Sequence, residues 1–410
     1  MASPQLHFPS FASPALAAQT LVLKGTDIGG VPTDAEYLGF VAGVINGVMP
    51  DEAPISPGPD DLVDYPASFW PVSHGGLADP KWNASVGTGK ENVAAVVADG
   101  DDGALIFGYS QGAVVASQYK ESVPDPAHDT TYVLLANPNR PNGGFLERFA
   151  GITIPILDVT GSGATPDEGG TTYDIALQYD GWSDFPRHFT HILSTVNALA
   201  GTVFLHGFAN QEAQIDLDNL VDPTKTDIVV DGQTTYYTVP TPRLPILIPF
   251  EAFVPSPILT ALDAPLRVMV EWGYDRSTSP GAPQEVSLLD IGNPIPDMLN
   301  LLRAIPVGLD DGLAEAKGNP DYRPFGTAPA GMYGVGGRDV SVPAAGTPVG
   351  TSVAASVDQQ PIRVRARAPA GVSPRQAAKT PNRGLSNDVG NATAGRRHAS
   401  SVRAVGASGR

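Results

Sequence analysis

The sequence predicts an α/β protein whose mostly parallel sheet carries helices on both faces. Two observations predict it. From about residue 20 to about residue 205, short apolar runs alternate with segments of helical spacing, the pattern of strands joined by crossover helices. One stretch, GALIFGYSQGAVVASQYK at 103–120, joins an apolar run to a small-residue helix through a Gly-Tyr-Ser-Gln-Gly break.

The elements read in order as follows. TLVLKG (20–25) is a short buried strand, and DAEYLGFVAGVINGVM (34–49) has helical spacing. DLVDYPASFWP (61–71) reads as a second strand entering a Pro-rich loop, and GKENVAAVVADG (89–100) as a helix. GALIFG is a strand and QGAVVASQYK a helix, followed by strands at TYVLLANP (131–138), IPILDVTG (154–161) and TTYDIALQYD (171–180). FTHILSTVNALAG (189–201) is helical, with Gly201 as its C-terminal cap.

From about 210 to 280 the chain turns apolar, Pro-rich and poorly periodic, and reads as a cap over the core. LLDIGNPIPDMLNLLRAIPVGLDDGLAEA (288–316) holds one further helix. The expected organisation is an N-terminal extension at 1–18, an α/β domain at 19–325 that includes the cap, and a disordered tail at 326–410.

Composition bounds the function. The chain has 410 residues and 42% hydrophobic composition, enough for a large core. It has no cysteine, so neither a disulfide framework nor a thiolate metal site exists. Residues 361–410 carry ten Lys/Arg and one acid, whereas the first 360 hold 15 Lys/Arg and 42 acids. A folded part this acidic is a poor fit to nucleic acid, and the basic tail suits an anionic surface. No run of about 18 apolar residues marks a membrane span, and the first residues lack the basic start of an export signal.

The Gly-Tyr-Ser-Gln-Gly break carries the chemistry. A strand, a sharp turn and a helix would present Ser110 at the tip, with Gly108 and Gly112 supplying the absent side chains such a turn needs. The helix N-terminus would then point at the serine, which favours a developing oxyanion. The alternative for Ser110 is a helix cap.

A nucleophilic serine needs a base, and the base an orienting acid, here expected in the order serine, acid, histidine. Of seven histidines, His7 and His74 precede the serine, His128 leaves no room for an intervening acid, and His398 lies in the tail. His188 and His191 lie too close to the candidate acids, so His206 in VFLHGF is the expected base. The acid should follow a strand end, where YDGWSDFP offers Asp180 and Asp184.

These residues resemble a known family. GYSQGA (108–113), DYPASFWP (64–71), ANPNRPNGGF (136–145), YDGWSDFP (179–186), FLHGF (204–208), RLPILIPF (243–250) and LRVMVEWGYDR (266–276) resemble the PE-PPE domain, a serine-hydrolase domain of mycobacterial and related actinobacterial proteins. The likeness to cutinases is more distant. The resemblance implies an α/β-hydrolase fold, a Ser-Asp-His triad acting on acyl esters without cofactor or metal, and a secreted or envelope-associated location. Ser110 and His206 carry over directly. SDFP is similar to the acid motif of cutinases, which favours Asp184 over Asp180. LKGTDIGG (23–30) is similar to the cutinase loop after the first strand, so Thr26 and the N–H of Gln111 are the expected oxyanion donors.

The implied reaction is esterase or lipase chemistry on small-molecule or lipid acyl esters, of short to medium chain length. The alternatives are acyl transfer to trehalose-type glycolipids and an inactive binding module. The apolar segment 236–262, with Leu247 and Phe250, is the expected lining of an acyl groove beside Ser110.

Overall fold

A computed structural model of the chain describes residues 19–98, 103–123, 130–288 and 294–338. In chain order the elements are β1 (Gln19–Leu23), α1 (Asp34–Val48), α2 (Trp82–Ala98), β2 (Ala104–Tyr109), α3 (Gln111–Ser122) and β3 (Thr131–Leu135). They continue with α4 (Phe145–Arg148), β4 (Thr153–Ile154), β5 (Val159–Thr160), β6 (Thr172–Leu177), α5 (Ile192–Phe204) and α6 (Phe208–Gln214). β7 (Asp227–Asp231), β8 (Thr234–Val239), α7 (Ser256–Glu271) and α8 (Pro294–Lys317) complete the set.

Six strands form one sheet in the order β1-β2-β3-β6-β8-β7. Every pair is parallel except β7 with β8, which closes the edge as an antiparallel hairpin. β2 and β3 are buried along their whole length, as strands covered on both faces must be. Alternate residues feed two cores. Val22, Leu105, Phe107, Val133 and Leu135 face one side, where Tyr37, Val41 and Ile45 of α1 cover them with Leu259 and Val270 of α7. Leu21, Leu23, Ile106 and Leu134 face the other, against Trp82, Val86 and Val93 of α2 and the small residues Ala113–Ala116 of α3.

Local chemistry sets the element starts. α1 opens on a capping box: the Thr33 side chain accepts from the Glu36 N–H, and the Thr33 N–H donates to the Glu36 carboxylate. The α/β-hydrolase-type arrangement expected from sequence is therefore met as a mostly parallel α/β fold.

The structure corrects four readings. Residues 61–71 form no central strand; Leu62 makes one isolated bridge to Val22, because Pro66 and Pro71 deny the donors that a ladder needs. Residues 154–161 are not a central strand either. Pro155 interrupts them, and β4 and β5 make a small separate hairpin. The region 210–280 is not all cap, since β7 and β8 belong to the main sheet and Leu244 and Leu247 lie in the core.

The fourth correction concerns the tail. Residues 326–338 pack on the domain instead of starting a disordered segment. Tyr333 is buried and donates to Asp227 Oδ2 at 2.6 Å. The Met332 carbonyl accepts from Gln178 Nε2 and Arg267 Nη1. The extension at 1–18 and the basic tail lie outside the described residues.

Tyr333 tests that last point. Replacing it with alanine should lower the unfolding free energy by about 3 kcal/mol, as for other buried aromatic truncations. Urea unfolding measures this, and an unchanged midpoint would show that residues 326–338 do not contribute to the core.

Candidate active site

The parallel strands deliver their carboxyl ends to one edge of the sheet, where α/β folds build their sites. β2 ends at Tyr109 and α3 begins at Gln111, so Ser110 alone makes the turn, with φ 54 and ψ −114. That conformation is strained for a residue with a side chain. Steric necessity explains both flanking glycines. A Cβ on Gly108 would stand 2.5 Å from the Gly112 carbonyl, and one on Gly112 would stand 2.5 Å from the Leu23 carbonyl of β1. Strand, helix and neighbouring strand thus meet with no room for a methyl group.

The Ser110 Oγ lies 2.7 Å from His206 Nε2. The other ring nitrogen, Nδ1, lies 2.9 and 2.8 Å from the two carboxylate oxygens of Asp180. Asp180 is fully buried, and its carboxylate also accepts from the Trp182 N–H, the Ser183 hydroxyl and Gln211 Nε2. The sequence argument favoured Asp184, so this is a correction. The carboxylate against the imidazole belongs to Asp180, which directly follows the end of β6 and its next two residues.

Asp184 has other partners. Both its oxygens accept from the Arg276 guanidinium, at 2.7 and 2.9 Å, and Oδ2 also accepts from the Tyr179 N–H at 2.7 Å. Burial alone would raise its pKa, but the Arg276 charge and these hydrogen bonds outweigh burial and hold the carboxyl below its usual range. Arg276 reaches on to Glu271 at the end of α7 and lies 4.2 Å from the centre of the Tyr274 ring. Asp184 therefore ties the turn carrying Asp180 to α7 and does not touch the histidine.

Two tight approaches place His206. A Cβ on Gly201 would lie 1.9 Å from the Tyr179 carbonyl, so α5 docks directly on the Asp180 turn. Gly201 was read as a helix cap, but α5 continues to Phe204 and the glycine serves this contact. His206 follows two residues after Phe204, with its ring 6.0 Å from Tyr109 and 6.0 Å from Trp182. The Tyr109 hydroxyl donates to the His206 carbonyl. Burial pushes the Tyr109 hydroxyl pKa far up, so it stays a donor.

The two expected oxyanion donors belong to segments next to Ser110: Gln111 follows it in the chain, and Thr26 follows Gly25, which packs against it. The Gln111 N–H is the first of α3, and its side chain is locked in a buried network: Ser85 Oγ donates to Gln111 Oε1, and Gln111 Nε2 donates to the Ser68 carbonyl. Thr26 follows Gly25, where a Cβ would stand 3.3 Å from Ser110 Cβ. Neither backbone N–H has a hydrogen-bond acceptor among the described residues. His191 opens α5 beside Ser194 and Trp272, away from the serine.

The family model described as "PE-PPE domain" matches residues 58–275. The chain belongs to this family. It is similar to "Esterase PE16" of Mycobacterium tuberculosis, with 34% identity over 74% of this chain and 59% of that protein. It is also similar, from the same organism, to "SL1278 acyltransferase Chp1", 28% identical over 53% of this chain and 55% of that protein. A third relative, "Diacyltrehalose acyltransferase Chp2", is 27% identical over 53% of this chain and 66% of that protein. The chain thus spans between about half and two thirds of the length of these relatives. No solved structure matches it.

The two carboxylates of the PE-PPE domain make opposite predictions. Asp180→Asn should slow labelling of Ser110 by a fluorophosphonate by about 10⁴-fold, the scale seen when a triad imidazole loses its carboxylate, and leave the fold intact. Asp184→Asn should instead destabilise the fold by about 2 kcal/mol, because the partly buried Arg276 loses its bidentate carboxylate and keeps only Glu271. Labelling kinetics and denaturant melts on both variants check this, and the reverse ranking would return Asp184 to the histidine.

Proposed function

We propose that the chain is a serine esterase that cleaves acyl esters through an acyl-enzyme. The observation that carries the reading is the continuous relay from the Ser110 hydroxyl through His206 to the Asp180 carboxylate, at a turn whose flanking glycines leave no room for a Cβ. One of the family relatives supports it by name, an esterase.

The mechanism follows from these atoms. His206 Nε2 takes the Ser110 proton as Oγ attacks the ester carbonyl. Asp180 fixes the tautomer in which Nδ1 carries the hydrogen and offsets the imidazolium charge. The oxyanion is held by the N–H groups of Gln111 and Thr26, each worth about 3–4 kcal/mol of transition-state stabilisation. Collapse expels the alcohol, which takes the proton from His206. Water, deprotonated by the same nitrogen, then attacks the acyl carbonyl and frees Ser110.

A second reading replaces that water with a sugar hydroxyl and makes the chain an acyltransferase. The two relatives named as acyltransferases favour it, and the same five groups serve both reactions.

Ser110→Ala should abolish release of p-nitrophenol from an acyl ester while leaving the circular dichroism spectrum unchanged. Activity near the wild-type rate would overturn the assignment of the nucleophile. Chromatography of the products, with and without trehalose, separates the two readings. Free fatty acid as the main product in both cases is expected of the esterase, and acyl-trehalose would establish the transferase.

A further inference from the structure

A chain of aromatic rings leads away from His206 through Trp182. Trp182 lies 6.0 Å from the imidazole and 5.3 Å from Phe145. Phe145 lies 4.9 Å from Phe149, which lies 6.1 Å from Phe189. All four rings are only partly buried. Trp182, Phe149 and Phe189 belong to neither core cluster, so filling the protein interior does not explain them. Beyond Phe149, the β4–β5 hairpin exposes Ile152, Ile154 and Ile156, and no charged residue occurs from Phe149 to Leu157.

The strip is rigid. Arg148 is 2% exposed and fixes α4 by donating to the Phe185 carbonyl, Asn142 Oδ1 and the Gln284 carbonyl. Asn83 beside Trp82 donates to Asp158 and Thr160 and pins the hairpin. Trp82 itself stacks on Trp182 at 5.9 Å with 7° between the planes. A soluble surface rarely keeps so many rings part-exposed and held in place without an occupant.

We propose that Trp182, Phe145, Phe149 and Phe189, together with the three hairpin isoleucines, form the groove that holds the acyl chain of the substrate, so that the preferred substrates are esters of medium-chain, uncharged fatty acids. The inference rests on the acyl-ester reading above. It places the groove elsewhere than the segment 236–262 expected from sequence. There Leu247 is core, and Phe250 and Phe253 pair with each other at 5.6 Å with no ring contact to His206 or Trp182 among the described residues. The strip starts against the imidazole, within reach of an ester whose carbonyl carbon is at Ser110. Its neutral, apolar lining matches an alkyl chain and no charged ligand.

The test is the dependence of kcat/KM on chain length for p-nitrophenyl esters from two to twelve carbons. In the wild-type chain kcat/KM should rise by roughly fourfold for each methylene buried, until the groove is filled. Phe149→Ala, and independently the double variant Ile152→Gln/Ile156→Gln at exposed positions, should lower the twelve-carbon to two-carbon ratio at least tenfold. Phe253→Ser, on the other segment, should leave the ratio at its wild-type value. A ratio unchanged in both groove variants, or lowered only by Phe253→Ser, would overturn the groove and leave the esterase reading standing. A wild-type chain that cleaves none of the esters would overturn that reading itself.

Discussion

The hydrogen bond between His206 Nδ1 and the Asp180 carboxylate organises the rest of the site. Together with the contact from His206 to Ser110 it needs three pieces of chain to arrive together: the turn after β6, the end of α5 and the tip of the turn after β2. Each arrives by close approach. α5 meets the Asp180 turn at Gly201, and α3 meets β1 and β2 at Gly112 and Gly108. A methyl group at any of these glycines would push one partner of the relay by more than a hydrogen bond tolerates. The scaffold is rigid where the chemistry requires a fixed distance and has few spare degrees of freedom there.

Two buried carboxylates four residues apart do different work because their surroundings differ. Asp180 meets only neutral donors and the imidazole, so its charge is free to offset a protonated histidine. Asp184 is neutralised by a bidentate guanidinium that is itself shared with Glu271. A carboxylate already paired in this way has little left to offer an imidazolium. The second carboxylate instead holds the Tyr179 N–H and so shapes the turn from which the first one reaches His206.

Much of this was legible in the sequence. The alternation of apolar runs and helical spacing gave the parallel sheet, because both periods are imposed by burial on two faces. The Gly-Tyr-Ser-Gln-Gly break marked Ser110, and the order of chain elements singled out His206. The acid was legible too, from the rule that it follows a strand end: β6 closes at Leu177, three residues before Asp180. Similarity to another family's motif pointed to Asp184 instead, and only the partner Arg276, more than ninety residues away, decides against it. Long-range pairing of this kind leaves no local pattern. The hairpin of β7 and β8 was hidden for a related reason. DIVVD and TTYYTV neither alternate polar with apolar residues nor form a long apolar run, and the Pro-rich chain after them blurred the boundary. Tyr333 was missed because one buried ring in a Gly- and Pro-rich stretch has no periodicity to reveal it.

The most direct measurement of the central claim is the proton NMR spectrum at low field, where a histidine N–H bound to a buried carboxylate resonates far downfield of other amides. The account predicts one such signal, assigned to His206 Nδ1–H, that disappears in Asp180→Asn and persists in Asp184→Asn. A signal that survives the loss of Asp180 and vanishes with Asp184 would contradict it.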